Sequence, residues 1–173
     1  MEAAIRRFEI EIGDKVCLDV GAATGGFTDC LLQHGAKKVY AVETGYGILD
    51  WKLRNDPRVV AMERTNILYE VNIGEKIDLA TVDTSWTRLR LSVPAVSRFI
   101  KPDGIILALI KSQYEVEKKY LRKGVVVEEK LMQTVEKVRG ELGELGFTAS
   151  QPFQSPVMGE GGNREFWVKV EYI

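Results

Sequence analysis

The stretch that decides the fold is residues 16–28, which read Val16-Cys17-Leu18-Asp19-Val20-Gly21-Ala22-Ala23-Thr24-Gly25-Gly26-Phe27-Thr28. Five mostly apolar residues lead into a glycine-containing turn and then into the start of a helix. This order predicts a buried parallel strand that delivers a backbone loop to a ligand. Such a loop is typical of nucleotide-type cofactor sites in open α/β sheets.

The glycines of this loop have physical roles. Gly21 can adopt a backbone conformation that other residues avoid at a tight strand-to-helix turn, and Gly25 and Gly26 let the main chain approach a ligand closely. Thr24 is expected to be the helix N-cap. The free amides and the positive dipole end of the helix would then face a carboxylate or a phosphate equally well.

Two residues favour one ligand over another. Ala23 stands where the dinucleotide fingerprint G-x-G-x-x-G has its second glycine, so a close pyrophosphate approach is disfavoured. Asp19 places a carboxylate near the loop, which suits a cationic amino-acid group, directly or through water. Both features favour S-adenosylmethionine over NAD. The residues of this segment that we expect to bind it are Asp19, Gly21, Ala22, Gly25, Gly26 and Phe27.

Two further polar residues follow later strands. Glu43 ends the second predicted strand, where dinucleotide-binding folds hold ribose hydroxyls on an acidic residue. A carboxylate there can accept two charge-assisted hydrogen bonds. The alternative is a strand-end acid in water. Asn66 follows the third strand and could read an adenine amino group, although a plain loop asparagine fits as well.

Composition limits the class of protein. The 173 residues are 45% hydrophobic and 28% charged, with a formal net charge of −1, as in a globular protein without a global nucleic-acid-binding charge. Cys17 and Cys30 show no metal-ligand spacing and are expected to be reduced thiols, and His34 is expected to be a solvated helix-end cation. The cysteine spacing and the single histidine predict that the chain has no metal site. No membrane span or signal peptide is evident, which favours a cytoplasmic protein.

The order of elements predicts one α/β domain over residues 1–173. Seven strands are expected at 16–20, 38–43, 58–62, 76–82, 105–110, 147–153 and 164–172, with a turn at 102–104. Helices are expected near 1–12, 27–34, 49–54, 86–100 and 128–145. This alternation is typical of a doubly wound, mostly parallel sheet with an antiparallel C-terminal edge strand.

A polar and basic segment interrupts this pattern at 114–123. It contains Lys118, Lys119, Arg122 and Lys123 close to Tyr120. A charged segment after the carboxyl end of a strand suits a mobile flap that meets phosphates. A solvated loop explains it equally well, and the sequence leaves both interpretations open.

Three segments together resemble a known family. Leu18–Leu32, Val39–Gly47 and Trp51–Val59 are similar to the hemolysin-A-type (TlyA) ribosomal RNA methyltransferases, which are FtsJ-like ribose 2′-O-methyltransferases. The resemblance extends over nearly the whole chain. It implies a Rossmann-like methyltransferase fold, S-adenosylmethionine as cofactor and ribosomal RNA or a ribosomal subunit as partner, and it leaves the oligomeric state open.

The resemblance also implies a reaction centre. The family uses a lysine-aspartate-lysine-glutamate set, whose last three members match Asp83, Lys111 and Glu165. Lys111 would orient the ribose hydroxyl or accept its proton, while Asp83 would hold Lys111 and the sulfonium side of the cofactor. Glu165 would fix the orientation of the lysine.

Departures from the family pattern support a second hypothesis. The first family lysine and the S4-type RNA-binding domain are expected to precede Met1. The segment 84–88 differs from the family's valine-serine-phenylalanine run, and Ser112 replaces a proline. The alternative is therefore a non-catalytic S-adenosylmethionine-binding or RNA-associating domain that has lost the first lysine. An NAD-dependent dehydrogenase and a membrane-lytic protein are both disfavoured, because Ala23 breaks the glycine spacing and no amphipathic membrane segment is evident.

Overall fold

The computed structural model describes residues 1–69 and 71–172. Its α-helices are α1 (Glu2–Arg7), α2 (Gly26–Gln33), α3 (Trp51–Arg54), α4 (Leu89–Ser97), α5 (Ser112–Glu115) and α6 (Glu128–Glu144). Its strands are β1 (Val16–Val20), β2 (Lys38–Val42), β3 (Val59–Met62), β4 (Ile77–Val82), β5 (Ile100–Lys111), β6 (Leu121–Arg122), β7 (Val125–Val126), β8 (Phe147–Ala149), β9 (Phe153–Gln154) and β10 (Glu165–Tyr172).

The main sheet has the strand order β3-β2-β1-β4-β5-β10-β8, and β9 also pairs with β10. Strands β1 to β5 are mutually parallel, whereas β10 is antiparallel to β5, β8 and β9. The predicted doubly wound, mostly parallel sheet is therefore confirmed, with its antiparallel strands at the C-terminal side. From β1 the chain adds β2 and β3 on one side, and it then crosses to add β4 and β5 on the other side of β1. Ligands bind at such a switch point in the strand order.

Apolar side chains cover both faces of the sheet, which explains the nearly continuous apolar strands. Val16, Leu18 and Val20 of β1 pack into one core cluster with side chains of α4 and α6. Cys17 joins a second cluster with side chains of α1 and α2. Because helices cover both faces, the carboxyl edge of the strands is left for polar residues and ligands.

The structure corrects several predicted boundaries. The strand predicted over 147–153 is divided into β8 and β9, so the main sheet has eight strands rather than the seven expected. The first helix ends at Arg7, since Glu9 has a positive φ of 53°. The predicted turn at 102–104 is part of β5, which continues past Gly104 along a register irregularity opposite Ile77. The helix predicted over 86–100 is shorter, Leu89–Ser97, so residues 84–88 form a loop.

The basic segment 114–123, for which the sequence left a flap and a solvated loop open, contains short regular elements. It contains the last residues of α5, a single 3-10 turn and strand β6, which forms a small hairpin with β7. We call residues 121–126 the basic hairpin. Within the described residues, no helix has the length and apolar character needed to cross a membrane.

Candidate active site

The loop after β1 is held close to the loop after β4. Gly21 has a φ of +85°, and a Cβ at this position would collide with the backbone carbonyl of Asp83. The amides of Gly21 and Ala22 both donate to the carbonyl of Val42 at the end of β2. Glycine is therefore required at position 21 because of its φ and because two backbones meet there.

The start of α2 differs from its prediction. The N-cap is Gly25, in a left-handed conformation with a φ of +101°, so the expected cap at Thr24 is wrong. A side chain at position 25 would collide with Leu49 and Leu53. Gly25 thus permits packing of the loop against α3, whereas Gly26 has open space around its Cα hydrogen.

Asp19 lies fully buried beneath this loop. Its two carboxylate oxygens accept hydrogen bonds from the hydroxyls of Thr28, at 2.7 Å, and Thr81, at 2.8 Å. Burial raises its pKa to about 6, against the lowering effect of the two threonine hydrogen bonds. Asp19 therefore contacts α2 and β4, and it supports the loop from below rather than facing the cleft.

Glu43 connects the loops after β1 and β2. Its carboxylate accepts the amides of Ala23, at 2.9 Å, and Gly45, at 2.8 Å, and the hydroxyl of Thr44, at 3.1 Å. Burial opposes ionisation, but the backbone amides outweigh it and lower the pKa of Glu43 below its ordinary value. The side chain is half-buried, so an ionised carboxylate remains accessible to a ligand.

A cleft of about 250 Å³ opens between these loops and the loop after β4. The residues predicted as site residues that line it are Gly21, Glu43, Asn66, Asp83 and Lys111. The carboxamide oxygen of Asn66 already accepts the amide of Leu68, at 3.0 Å. Phe27 borders a neighbouring cavity of about 590 Å³ that also contains Asp83 and Glu165, whereas Ala22 and Gly25 are buried behind the cleft.

Asp83, Lys111 and Glu165 come together at the carboxyl edge of the sheet. Asp83 directly follows β4 and Lys111 ends β5, so two adjacent parallel strands carry them to the same place. Glu165 begins β10 and lies opposite Lys111 in the antiparallel pair. The Lys111 Nζ atom is 2.5 Å from Asp83 Oδ1 and 3.5 Å from Ser85 Oγ.

Glu165 occupies an enclosed position. It is 9% exposed, and burial raises its pKa above the ordinary glutamate value. The positive charge of Lys111 lowers the pKa, the negative charge of Asp83 raises it, and a hydrogen bond from Gln113 lowers it. These opposing effects leave a carboxyl group that responds to the charge on its neighbours.

Sequence reasoning missed an aromatic pair beside this centre. The rings of Trp86 and Tyr114 lie 4.8 Å apart between centroids, and Trp86 is 84% exposed. Both border a groove of about 540 Å³ that also contains Arg88, Lys118 and Lys123. Trp86 has a positive φ of 64°, which a pattern of apolar residues cannot reveal, and the pattern placed it in a helix instead.

A second feature missed from the sequence lies away from the cleft. A carboxylate oxygen of Glu2, the Cys30 Sγ atom and a ring nitrogen of His34, which are atoms that can bind metal ions, lie within 4.8 Å of one another. The His34 Nε2 atom is 2.7 Å from the Glu2 carboxylate. The spacing of Cys30 and His34 alone did not indicate such a group, because Glu2 comes from α1. Cys17 and Cys30 are both free thiols, as predicted.

Comparisons with known proteins show the family of the chain. The FtsJ-like methyltransferase family model matches residues 1–172. The 16S/23S rRNA (cytidine-2′-O)-methyltransferase TlyA of Mycobacterium tuberculosis is 40% identical over 174 residues, which cover 97% of this chain and 65% of the relative. A relative from Bacillus subtilis is covered over 63% of its length, so the chain spans a little under two thirds of these relatives.

Solved structures show the same similarity. A protein of Streptococcus thermophilus, solved under the designation hemolysin, superposes with a TM-score of 0.94 at 36% identity, covering 99% of this chain and 64% of that one. An S-adenosylmethionine dependent methyltransferase from Mesorhizobium loti has a TM-score of 0.71 at 14% identity, covering 97% of this chain and 95% of that one. The second similarity concerns the fold alone.

Proposed function

Because the chain belongs to the FtsJ-like methyltransferase family, we propose that it is an S-adenosylmethionine-dependent ribose 2′-O-methyltransferase of ribosomal RNA. The observation that carries this proposal is the Lys111–Asp83 ion pair, with Glu165 on the facing strand, at the edge of the cleft. The Mycobacterium tuberculosis relative is named as a methyltransferase of cytidine 2′-oxygens in 16S and 23S ribosomal RNA.

The residues of the cleft fit the cofactor. Glu43 offers an ionised carboxylate for the ribose hydroxyls, and Gly21 brings backbone close to Asp83. Asp19 contributes by supporting the loop through Thr28, and Asn66 lines the same cleft on the far side. When bound, the cofactor supplies an electrophilic methyl group on a sulfonium.

The reaction centre performs positioning and proton transfer. Lys111 would hold the 2′-hydroxyl oxygen at the edge of the cleft where the cofactor would supply its methyl group, and placement of reacting atoms within about 3–3.5 Å supplies much of a rate enhancement. The Lys111–Asp83 pair would take up the proton of the hydroxyl at the Asp83 carboxylate, and Glu165 would keep the lysine amine directed at the hydroxyl.

The RNA partner would be held by the groove beside Trp86 and Tyr114. Exposed aromatic rings stack on unpaired bases, and the nearby cations neutralise phosphates. The cationic residues of this groove and of the adjoining segment are Arg88, Lys118, Lys119, Arg122 and Lys123. A local patch of this kind permits RNA binding although the net charge of the chain is −1. Ribosomal RNA as substrate agrees with a cytoplasmic location.

Calorimetric titration with S-adenosylmethionine, followed by transfer of tritiated methyl groups to ribosomal subunits, tests the proposal. We expect binding and transfer by the wild type. Binding without transfer would favour the alternative, a cofactor-binding or RNA-associating domain without catalysis. Absence of cofactor binding would overturn both functions.

A further inference from the structure

We propose that Asn163 is a positioning residue that fixes the basic hairpin and Glu165 relative to each other. This inference rests on the proposed function, because it assigns Glu165 to the reaction centre. Asn163 precedes Glu165 by two residues and lies at the end of the loop 155–163. Its side chain is directed away from the strand, into the turn of the basic hairpin.

The side chain of Asn163 is 3% exposed and uses both ends of its carboxamide. Its Oδ1 atom accepts the amide of Val126, at 3.1 Å. Its Nδ2 atom donates to the carbonyls of Gly124, at 2.9 Å, and Glu160, at 3.0 Å. One residue therefore joins the turn and the second strand of the basic hairpin, β7, to the loop that precedes β10.

The same loop encloses the carboxyl group of Glu165. Gly159 packs directly against this group, so that a Cβ at position 159 would collide with it. The Gly159 amide donates to the Asn163 carbonyl, at 2.8 Å, and the Ser155 amide donates to the Glu165 carbonyl, at 2.8 Å. The position of the Glu165 side chain thus depends on a loop that Asn163 holds at its end.

Asparagine is the residue that these partners require. It provides one acceptor for the Val126 amide and two donors for carbonyls within one compact group. An alanine would leave a buried amide and two carbonyls without these partners, and an aspartate would present oxygens where donors are needed. Since Gly124, Glu160 and Asn163 also line the groove beside Trp86, the contacts link the wall of the RNA groove with the reaction centre.

The test compares Asn163→Ala with Ser150→Ala. Ser150 is a matched control because its hydroxyl accepts the Lys169 amide, at 3.0 Å, and so ties down the same strand far from Glu165. For Asn163→Ala we expect kcat at saturating RNA to fall at least tenfold, counted per cofactor-binding site, with the Kd for S-adenosylmethionine within about twofold of wild type. For Ser150→Ala we expect a lower Tm with kcat unchanged. A kcat within twofold of wild type for Asn163→Ala would overturn the proposal.

A second variant covers the case in which Asn163→Ala does not fold. Gly159→Ala places a methyl group against the Glu165 carboxyl group and should also lower kcat at least tenfold. Gly140→Ala in α6, where an added Cβ meets open space, is its control and should keep full kcat. Unchanged kcat for Gly159→Ala contradicts the role of the loop.

Amide hydrogen exchange separates this proposal from the proposed function. Asn163→Ala should speed exchange in the hairpin strands at Leu121 and Arg122 and also at the Ser155 amide, which reports the position of Glu165, whereas Ser150→Ala should not. If the wild type binds cofactor without methyl transfer, and Asn163→Ala still speeds exchange at both places, the proposed function is rejected and the structural coupling is retained. Faster exchange in the hairpin alone rejects the coupling itself.

Discussion

The two halves of the carboxyl edge treat their carboxylates differently. In the cofactor half, Asp19 and Glu43 accept hydrogen bonds from hydroxyl and amide donors of the fold. In the reaction half, Asp83 and Glu165 face Lys111. The carboxylates of the cofactor half therefore determine the shape of the loops, with the half-buried Glu43 also accessible to a ligand, whereas those of the reaction half surround the lysine. Mutations in the first half should change binding, and mutations in the second half should change turnover.

The largest effect is expected for Lys111→Ala. The Lys111 side chain contacts both Ser85 and Asp83. Its removal should lower kcat by about 10³-fold, because the members of a catalytic set act together. Cofactor affinity should change by less than about threefold. Tritiated-methyl transfer at saturating cofactor measures the first quantity and calorimetry the second.

Lys101→Ala is the matched control for Lys111→Ala. Lys101 lies on the same strand, β5, and forms an ion pair with Asp78, at 2.6 Å, at the other end of the sheet. Its loss should leave kcat unchanged. Equal losses in the two variants would mean that Lys111 acts on folding rather than on turnover.

The next effect concerns binding in the cofactor half. Glu43→Ala removes the acceptor for two loop amides and the expected partner of the ribose hydroxyls. Charge-assisted hydrogen bonds contribute about 1.5–3 kcal/mol each, so the Kd for S-adenosylmethionine should rise about 10- to 100-fold, with kcat at saturation nearly unchanged. Glu75→Ala is the control, because Glu75 pairs with Lys38, at 2.6 Å, at the opposite end of β2. A large fall in kcat for Glu43→Ala would contradict the division into two halves.

A smaller effect is expected at the groove. Arg122→Gln combined with Lys123→Gln removes two exposed cations of the basic hairpin. RNA affinity should fall about tenfold or less, and the slope of log K against log salt should decrease by about 0.7 for each lost contact with a single strand. Filter binding over a range of salt concentrations measures both. An unchanged slope would show that RNA does not reach the hairpin, whereas kcat at saturating RNA should remain within twofold.

The sequence predicted more of the reaction half than of its surroundings. Asp83 and Lys111 follow apolar runs, so their place at one sheet edge follows from parallel strand pairing. The contact between Asp19 and Thr81 could not be predicted, because the residues are 62 positions apart and only the completed sheet joins them. The positive φ of Trp86 likewise depends on packing of its loop and leaves no periodic signal.

The smallest change in activity is expected for Asp19→Asn, together with a gain in stability. The folded-state pKa of Asp19 is about 6, above the ordinary value of 3.8. A raised carboxyl pKa contributes stability that is complete below about pH 3.8 and is lost as the pH rises through about 6. At pH 7 the wild type therefore carries a buried charge that the amide variant lacks, and the variant should unfold with a free energy about 1–3 kcal/mol higher. Its carboxamide can still bond Thr28 and Thr81, so cofactor affinity should stay within about threefold.

Asp78→Asn provides the comparison with the opposite sign. Burial raises the pKa of Asp78, but hydrogen bonds from Lys101 and the Val16 amide outweigh it, and the pKa is lowered. A lowered carboxyl pKa contributes stability above the unfolded value that is lost as the pH falls through the folded one, so Asp78→Asn should destabilise the fold at pH 7. Urea unfolding measures the free energy of unfolding of each variant relative to wild type at pH 4 and pH 7. Between these two pH values this difference should rise for Asp19→Asn and fall for Asp78→Asn. A destabilised Asp19→Asn protein at pH 7 would mean that the negative charge of Asp19 is itself bound by the fold, and the cofactor half would then hold its carboxylates by charge as the reaction half does.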